Sequence, residues 1–139
     1  MSWQAYIDSS LLGSGSITKA AIIGHDGSVW AASEGFTVKP EEASTILKGY
    51  SDASVLTTSG IKLNGEKYFY IRSDDRTING KLGEGGVFCV KTGMSIIIGV
   101  YDDTVKPGQA SIVVEKLADY LIDAGYHYII RNLNTIVYF

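Results

Sequence analysis

The chain has 139 residues, 45% hydrophobic and 19% charged, with a formal net charge of −3 and only two prolines. That length suits one domain with its own core, and the composition excludes a disordered chain. The acidic balance argues against nucleic-acid binding, which draws on a surplus of Lys and Arg on one face.

One cysteine, Cys89, leaves no internal disulfide, and no Cys or His spacing suits a metal, so neither metal nor cofactor is expected. Met1-Ser2-Trp3-Gln4 lacks the basic start and apolar run of a signal peptide, and no stretch reaches membrane-span length. A cytoplasmic location is the expectation.

Ser2 is a plausible N-cap, and Trp3, Tyr6, Ile7 and Leu11 recur on one side of a short helix that ends near Leu12. Ala20 to Ile23 and Ser28 to Ala32 read as a hairpin around His25-Asp26-Gly27, with Trp30 on its second arm. Pro40, Glu41 and Glu42 suit a helix start, and Ala43, Ile46, Leu47 and Tyr50 supply its apolar stripe to about residue 50. Ile61 to Leu63, an Asn64-Gly65 turn and Lys67 to Arg72 read as the next hairpin. Asn79-Gly80 and the glycines from 83 to 86 punctuate the stretch after it. Val87 to Val90 and Ser95 to Tyr101 are β-prone arms of a further hairpin. A last helix spans about 109 to 124, with Ile112, Val113, Leu117, Tyr120 and Leu121 as helical neighbours. Short connections favour an antiparallel sheet, so the fold class is α+β in one domain.

Met1-Ser2-Trp3-Gln4-Ala5-Tyr6-Ile7-Asp8 resembles the N-terminal signature of the profilin family. The resemblance continues, in order, through Ala20 to Gly24 with Ser28 to Ala31, Asp74 to Ile78, Gly80-Lys81, and Val114 to Ile122. It covers residues 1–126 and is closer to fungal, amoeboid and plant members than to animal ones. It implies a central antiparallel sheet with the N- and C-terminal helices packed on one face and smaller helices on the other. It also implies a protein that binds monomeric actin, regulates actin polymerisation and takes proline-rich ligands such as those of formin-type nucleators, associated with the cytoskeleton.

The resemblance carries Trp3, Tyr6, Trp30, Tyr120 and Tyr126 onto the polyproline groove and implies that Leu121 adds to its surface. A polyproline II helix has three residues per turn and no internal hydrogen bonds, so its rings stack on flat aromatic faces while its carbonyls accept from indole and phenol donors. That chemistry requires exposed aromatics; the competing reading makes the same residues core. For actin, the resemblance implicates Arg72, Arg76, Lys81, Lys91, Lys106, Gly108, Ser111 and Glu115, whose cations would raise the on-rate toward an acidic partner. Asn79 departs from the arginine of plant and animal members and is left out of the site. Arg72, Arg76 and Lys81 are also implied, secondarily, to meet anionic inositol lipids.

An enzyme is not expected. Cys89 sits within the apolar run Val87 to Val90, and His25 and His127 belong to no recognisable catalytic motif. The alternative of a different class is an α+β scaffold or sensory module that dimerises and binds neither actin nor proline. Residues 127–139 do not match the family pattern. They are hydrophobic and β-prone, and three readings stand open: an extension that packs on this domain, which is favoured, an oligomerisation element, or a non-native readthrough or misannotated exon. A tail that shelters the groove would give tighter proline binding once residues 127–139 are deleted.

Overall fold

Ser2 caps the first helical turn as its sequence position suggests, its Oγ accepting from the Ala5 N–H at 3.1 Å. In the computed structural model, which describes residues 2–124, this turn (α1, Trp3–Ala5) leads directly into a π-helix over Tyr6–Leu11 and a 3₁₀ turn over Leu12–Ser14. The Leu12 N–H reaches five residues back to the Ile7 carbonyl, the widened step that defines a π turn. Tyr126 and the expected extension over 127–139 lie outside the described residues.

The sheet has seven strands: β1 (Lys19–Gly24), β2 (Val29–Ala32), β3 (Ile61–Leu63), β4 (Glu66–Ser73), β5 (Thr77–Leu82), β6 (Gly85–Lys91) and β7 (Ser95–Tyr101). Their order is β2-β1-β7-β6-β5-β4-β3, every pairing antiparallel. Three further helices complete the fold: α2 (Pro40–Ser51), α3 (Ala53–Ser59) and α4 (Pro107–Asp123).

The sheet separates two apolar clusters, because successive side chains of a strand point to opposite faces. On one face Ala20, Ile22, Phe88, Val90 and Ile97 pack with Ile7 and Leu11 of the N-terminal segment and with Val114, Leu117 and Leu121 of α4. On the other, Ala21, Ile23, Val87, Cys89, Ile96 and Ile98 pack with Ala43 and Ile46 of α2 and Leu56 of α3. This is the α+β layering that the sequence suggests. It also explains why the central strands read as unbroken apolar runs: both faces are covered.

Two details differ from the sequence reading. Asn79-Gly80 is no turn but lies inside β5, where a Cβ on Gly80 would come within 2.8 Å of Ile61 Cδ1 and 3.2 Å of both Tyr68 Cβ and Val87 Cγ1. The glycine is there for close packing between strands. Helix α3 has no counterpart in the sequence reading. It has only seven residues, and Asp52 starts it by accepting from the Ser54 N–H at 3.0 Å.

One buried carboxylate fastens α2 to the sheet. Glu42 accepts from the backbone N–H of Lys39 (2.9 Å) and Asn64 (3.0 Å) through Oε1 and from Gly65 (2.9 Å) through Oε2, joining the helix start to the β3–β4 turn. Replacing Glu42 with Ala removes three charge-assisted bonds and should cost about 2–4 kcal/mol in urea unfolding.

Four aspartates hold turns in a similar way. Asp26, Asp52 and Asp102 are held below the ordinary carboxylate range chiefly by the hydroxyls of Ser28, Ser54 and Thr104. Asp74 is held low by the N–H groups of Thr77 and Arg76. Their depressed folded pKa values contribute stability that is present above the unfolded value of about 3.9 and lost as pH falls through the folded values. The melting temperature should therefore be flat from neutral pH to about 5 and fall steeply below about 4.

Candidate functional site

Four of the aromatic residues singled out in the sequence come together from four elements. Trp30 of β2 lies 4.8 Å from Trp3 of α1, Trp3 lies 5.8 Å from Tyr6 of the π-helix, and Tyr6 lies 6.1 Å from Tyr120 of α4. All are tilted contacts within the range in which ring quadrupoles attract. The stripe is neither wholly core nor wholly exposed. Tyr6 is 5% exposed and forms its floor, Trp3 and Trp30 are half-buried, and Tyr120 is 57% exposed on its rim.

Local structure explains the placement. Gln4 Nε2 donates to the Ala32 carbonyl at 3.0 Å and to Asp8 Oδ1 at 3.2 Å, tying the N-terminal segment to β2 beside Trp30. Gly24 gives the indole its room, since a Cβ there would lie 2.9 Å from Trp30 Nε1 and 2.8 Å from Asp26 Oδ1. Leu121 is a correction. It is fully buried and faces the sheet with Val114, Leu117 and Ala118, because its step along α4 belongs to the inward stripe while Tyr120 turns outward. It supports the groove from beneath and offers it no surface.

The second set gathers where α4 leaves part of the sheet uncovered. Arg72 stands opposite Asn79, and Asn79 opposite Phe88, along one row of β4, β5 and β6. With Ser111 and Glu115 of α4, Arg72 lines a depression of about 200 Å³. Lys81 is exposed opposite Phe69, and Lys106 and Gly108 are exposed at the start of α4.

Two of the expected cations are placed differently. Arg76 Nη2 lies 2.8 Å from both Glu115 Oε1 and Asp119 Oδ1 and also donates to the Glu115 carbonyl at 3.1 Å. Its charge is committed to α4, unlike those of the exposed Arg72 and Lys81. Lys91 follows Val87 and Cys89 in the alternation of β6 and so turns to the α2 side, where its Nζ lies 5.0 Å from the Tyr50 ring centre. It stands apart from the Arg72 cluster.

The sequence reading missed the apolar part of this surface: Phe69 is 61% exposed, Ile71 49% and Ile112 56%. A signal was present in Tyr68-Phe69-Tyr70-Ile71, four apolar residues in succession on one strand. Such a run puts apolar groups on both faces, and here helices cover only one of them.

A family model described as profilin matches residues 1–126. The chain belongs to the profilin family. Profilin-A of Physarum polycephalum is 52% identical over 126 residues, spanning 91% of this chain and 100% of the relative. The crystal structure of profilin II from Acanthamoeba castellanii superposes with a TM-score of 0.86 at 50% identity, covering 89% of this chain and 99% of that one. Mouse profilin IIa, solved in complex with a double repeat from the FH1 domain of mDia1, matches with a TM-score of 0.76 at 25% identity over 90% of this chain and 99% of that one. The expected placing of the terminal helices on one face and the smaller helices on the other is thus the profilin arrangement.

Among the described residues no helix is long and apolar enough to cross a membrane. Gly24→Ala should push the Trp30 ring out of the stripe, shift tryptophan emission and cost about 1–3 kcal/mol in urea unfolding. An unchanged spectrum would mean that Gly24 does not set the position of Trp30.

Proposed function

We propose that this chain binds monomeric actin and proline-rich segments on separate surfaces and so regulates actin polymerisation. The observation that carries this reading is the stripe Trp30, Trp3, Tyr6 and Tyr120, in which rings from four elements lie side by side with Tyr6 as the floor and Tyr120 exposed at the rim. Such a surface suits a polyproline II helix, whose stiffness keeps the ordering cost low. Tyr126 is assigned to the same groove from its family position. The FH1 repeat bound to mouse profilin IIa supports formin-type proteins as the source of the proline-rich ligand.

The actin surface in this reading comprises Arg72, Lys81, Lys106, Gly108, Ser111 and Glu115, with Phe69, Ile71 and Ile112 as apolar contacts between the charges. Charges at such an interface steer encounter and fix register, while apolar burial holds the complex. Arg72 and Lys81 also leave two exposed cations for an anionic inositol headgroup, a weaker and salt-screened attraction.

The role is that of a binding protein and not a catalyst, acting in the cytoplasm with the cytoskeleton. Burial pushes the Cys89 thiol up to about 12, which keeps it protonated and unreactive. His25 Nε2 lies 2.9 Å from the Thr92 carbonyl, which suits a ring that braces the β1–β2 turn against the β6–β7 turn. Residues 1–126 form the binding domain in this reading, and 127–139 an extension beyond it.

The test uses two variants and two ligands. Tryptophan emission titrated with decaproline should report saturable binding, weakened about 10-fold by Tyr120→Ala. That variant should keep its affinity for monomeric actin. Lys81→Glu should weaken actin binding several-fold at low salt and leave decaproline binding unchanged. No binding of decaproline by the unaltered chain would sink the proline half of the proposal, and no complex with monomeric actin the other half.

A further inference from the structure

The face of the sheet that carries α2 and α3 is not covered along its whole length. Beyond the helices, β1 and β4 curl toward each other although three strands separate them, and Lys19 Nζ comes within 3.9 Å of Glu66 Oε1. Next to that pair lies a cavity of about 480 Å³. Its floor is Tyr68, Leu82 and Val100, which pack with the apolar cluster on the α2 side. Its rim is exposed and acidic: Glu66, Glu84, Asp102 and Asp103 surround Lys19, the one ammonium among its lining residues. The aromatic stripe and Phe69 lie on the other side of the sheet.

The feature that points to a ligand is the Tyr68 hydroxyl. Tyr68 is 3% exposed, yet among the described residues nothing bonds that oxygen. Its buried counterparts are satisfied: Tyr50 donates to the Cys89 carbonyl at 2.7 Å, and Tyr101 meets Asn79. Among the described residues Arg76 Nε is the one side-chain nitrogen or oxygen both cut off from solvent and unbonded, so the Tyr68 hydroxyl keeps an opening, and that opening is the cavity it lines. Burial, and then the charge of Glu66, push its phenol up to about 12, so at neutral pH it stays an intact hydroxyl with lone pairs free to accept. A buried hydroxyl left unmet costs folding free energy, and a binding site is where such a cost is kept.

The spread of the charges narrows the ligand class. Among the described residues no three acidic, His or Cys side chains converge closely enough to hold a metal ion, so the rim suits separate positive charges better than one dense one. Its carboxylates come from β4, the β5–β6 turn and the segment after β7, with apolar floor between them. A chain of methylenes with an ammonium at each end matches both. We infer that this cavity binds an aliphatic polyamine, with methylenes over Tyr68, Leu82 and Val100, one ammonium donating to the Tyr68 hydroxyl oxygen and Glu66, and the next held by Glu84 and Asp103. Lys19 competes for Glu66, but their pair is long and half exposed, a contact that contributes little and yields readily.

The experiment titrates the full chain with spermidine by calorimetry at low salt, with n-butylamine as the single-ammonium probe and magnesium at matched ionic strength as the screening control. Spermidine should bind at a single site, about 10-fold more tightly than n-butylamine, and keep most of that affinity in magnesium. Tyr68→Phe should weaken spermidine about fivefold while its urea midpoint stays level or rises, because the hydroxyl it loses is bonded to nothing in the fold. Glu84→Gln should weaken spermidine about threefold, and Lys19→Gln should tighten it. Decaproline binding should be the same in all three variants.

No saturable heat with spermidine overturns the site, as does binding that magnesium removes, which marks charge screening at the surface only. Affinity unchanged by Tyr68→Phe puts the amine elsewhere and overturns the cavity. A lowered urea midpoint in Tyr68→Phe reveals a structural partner for the hydroxyl and overturns the premise. Equal affinity for spermidine and n-butylamine overturns the polyamine in favour of a single ammonium.

Discussion

The two ends of the described chain meet on one face of the sheet, and both candidate surfaces depend on that meeting. Ile7 and Leu11 share a cluster with Val114, Leu117 and Leu121, all buried, and each such side chain contributes on the order of 1.5–3 kcal/mol by leaving water. The packing is what holds Tyr6 within reach of Tyr120. It also seats α4 so that one flank edges the aromatic stripe while another, through Ser111 and Glu115, edges the exposed rows of β4 and β5. A single helix thus borders both surfaces, and neither could be assembled by its own strand or helix alone.

The opposite face supplies rigidity. Helices α2 and α3 cover the reverse of the sheet, and Glu42 fixes α2 to the β3–β4 turn through three backbone donors. The uncovered rows of β4 and β5 are therefore held on a sheet braced from behind. Phe69 and Ile71 can stay in solvent there because the strand that carries them also buries Tyr68 on its other face.

Much of this was legible in the sequence because it depends on neighbours in the chain. The Asn64-Gly65 turn is an example: both residues take positive φ, 53° and 82°, the pairing that a tight hairpin requires and that this dipeptide tolerates. The same dipeptide at Asn79-Gly80 misled for the same reason. Nothing local distinguishes it, and only the approach of Ile61, Tyr68 and Val87 explains the glycine. The groove aromatics were legible through family resemblance, but their depths were not, since Leu121 and Tyr120 differ by one step around α4. The commitments of Arg76 to Glu115 and Asp119, and of Lys91 to the Tyr50 ring, link positions far apart in the chain and carry no sequence signature.

The π turn over Tyr6–Leu11 has a bearing on how the family signature can vary. A π turn holds one more residue than the α-helical turn it replaces, and each residue advances an α-helix by about 100°. Losing one residue between Tyr6 and Leu11 would keep a well-formed helix and keep Leu11 in the core. Because the turn itself absorbs the extra residue, that loss would leave Trp3 close to its place beside Trp30. Losing a second residue would rotate everything before it by roughly that angle and carry Trp3 away. The π turn is thus the one place in the N-terminal segment where the count can fall by one without unmaking the aromatic stripe.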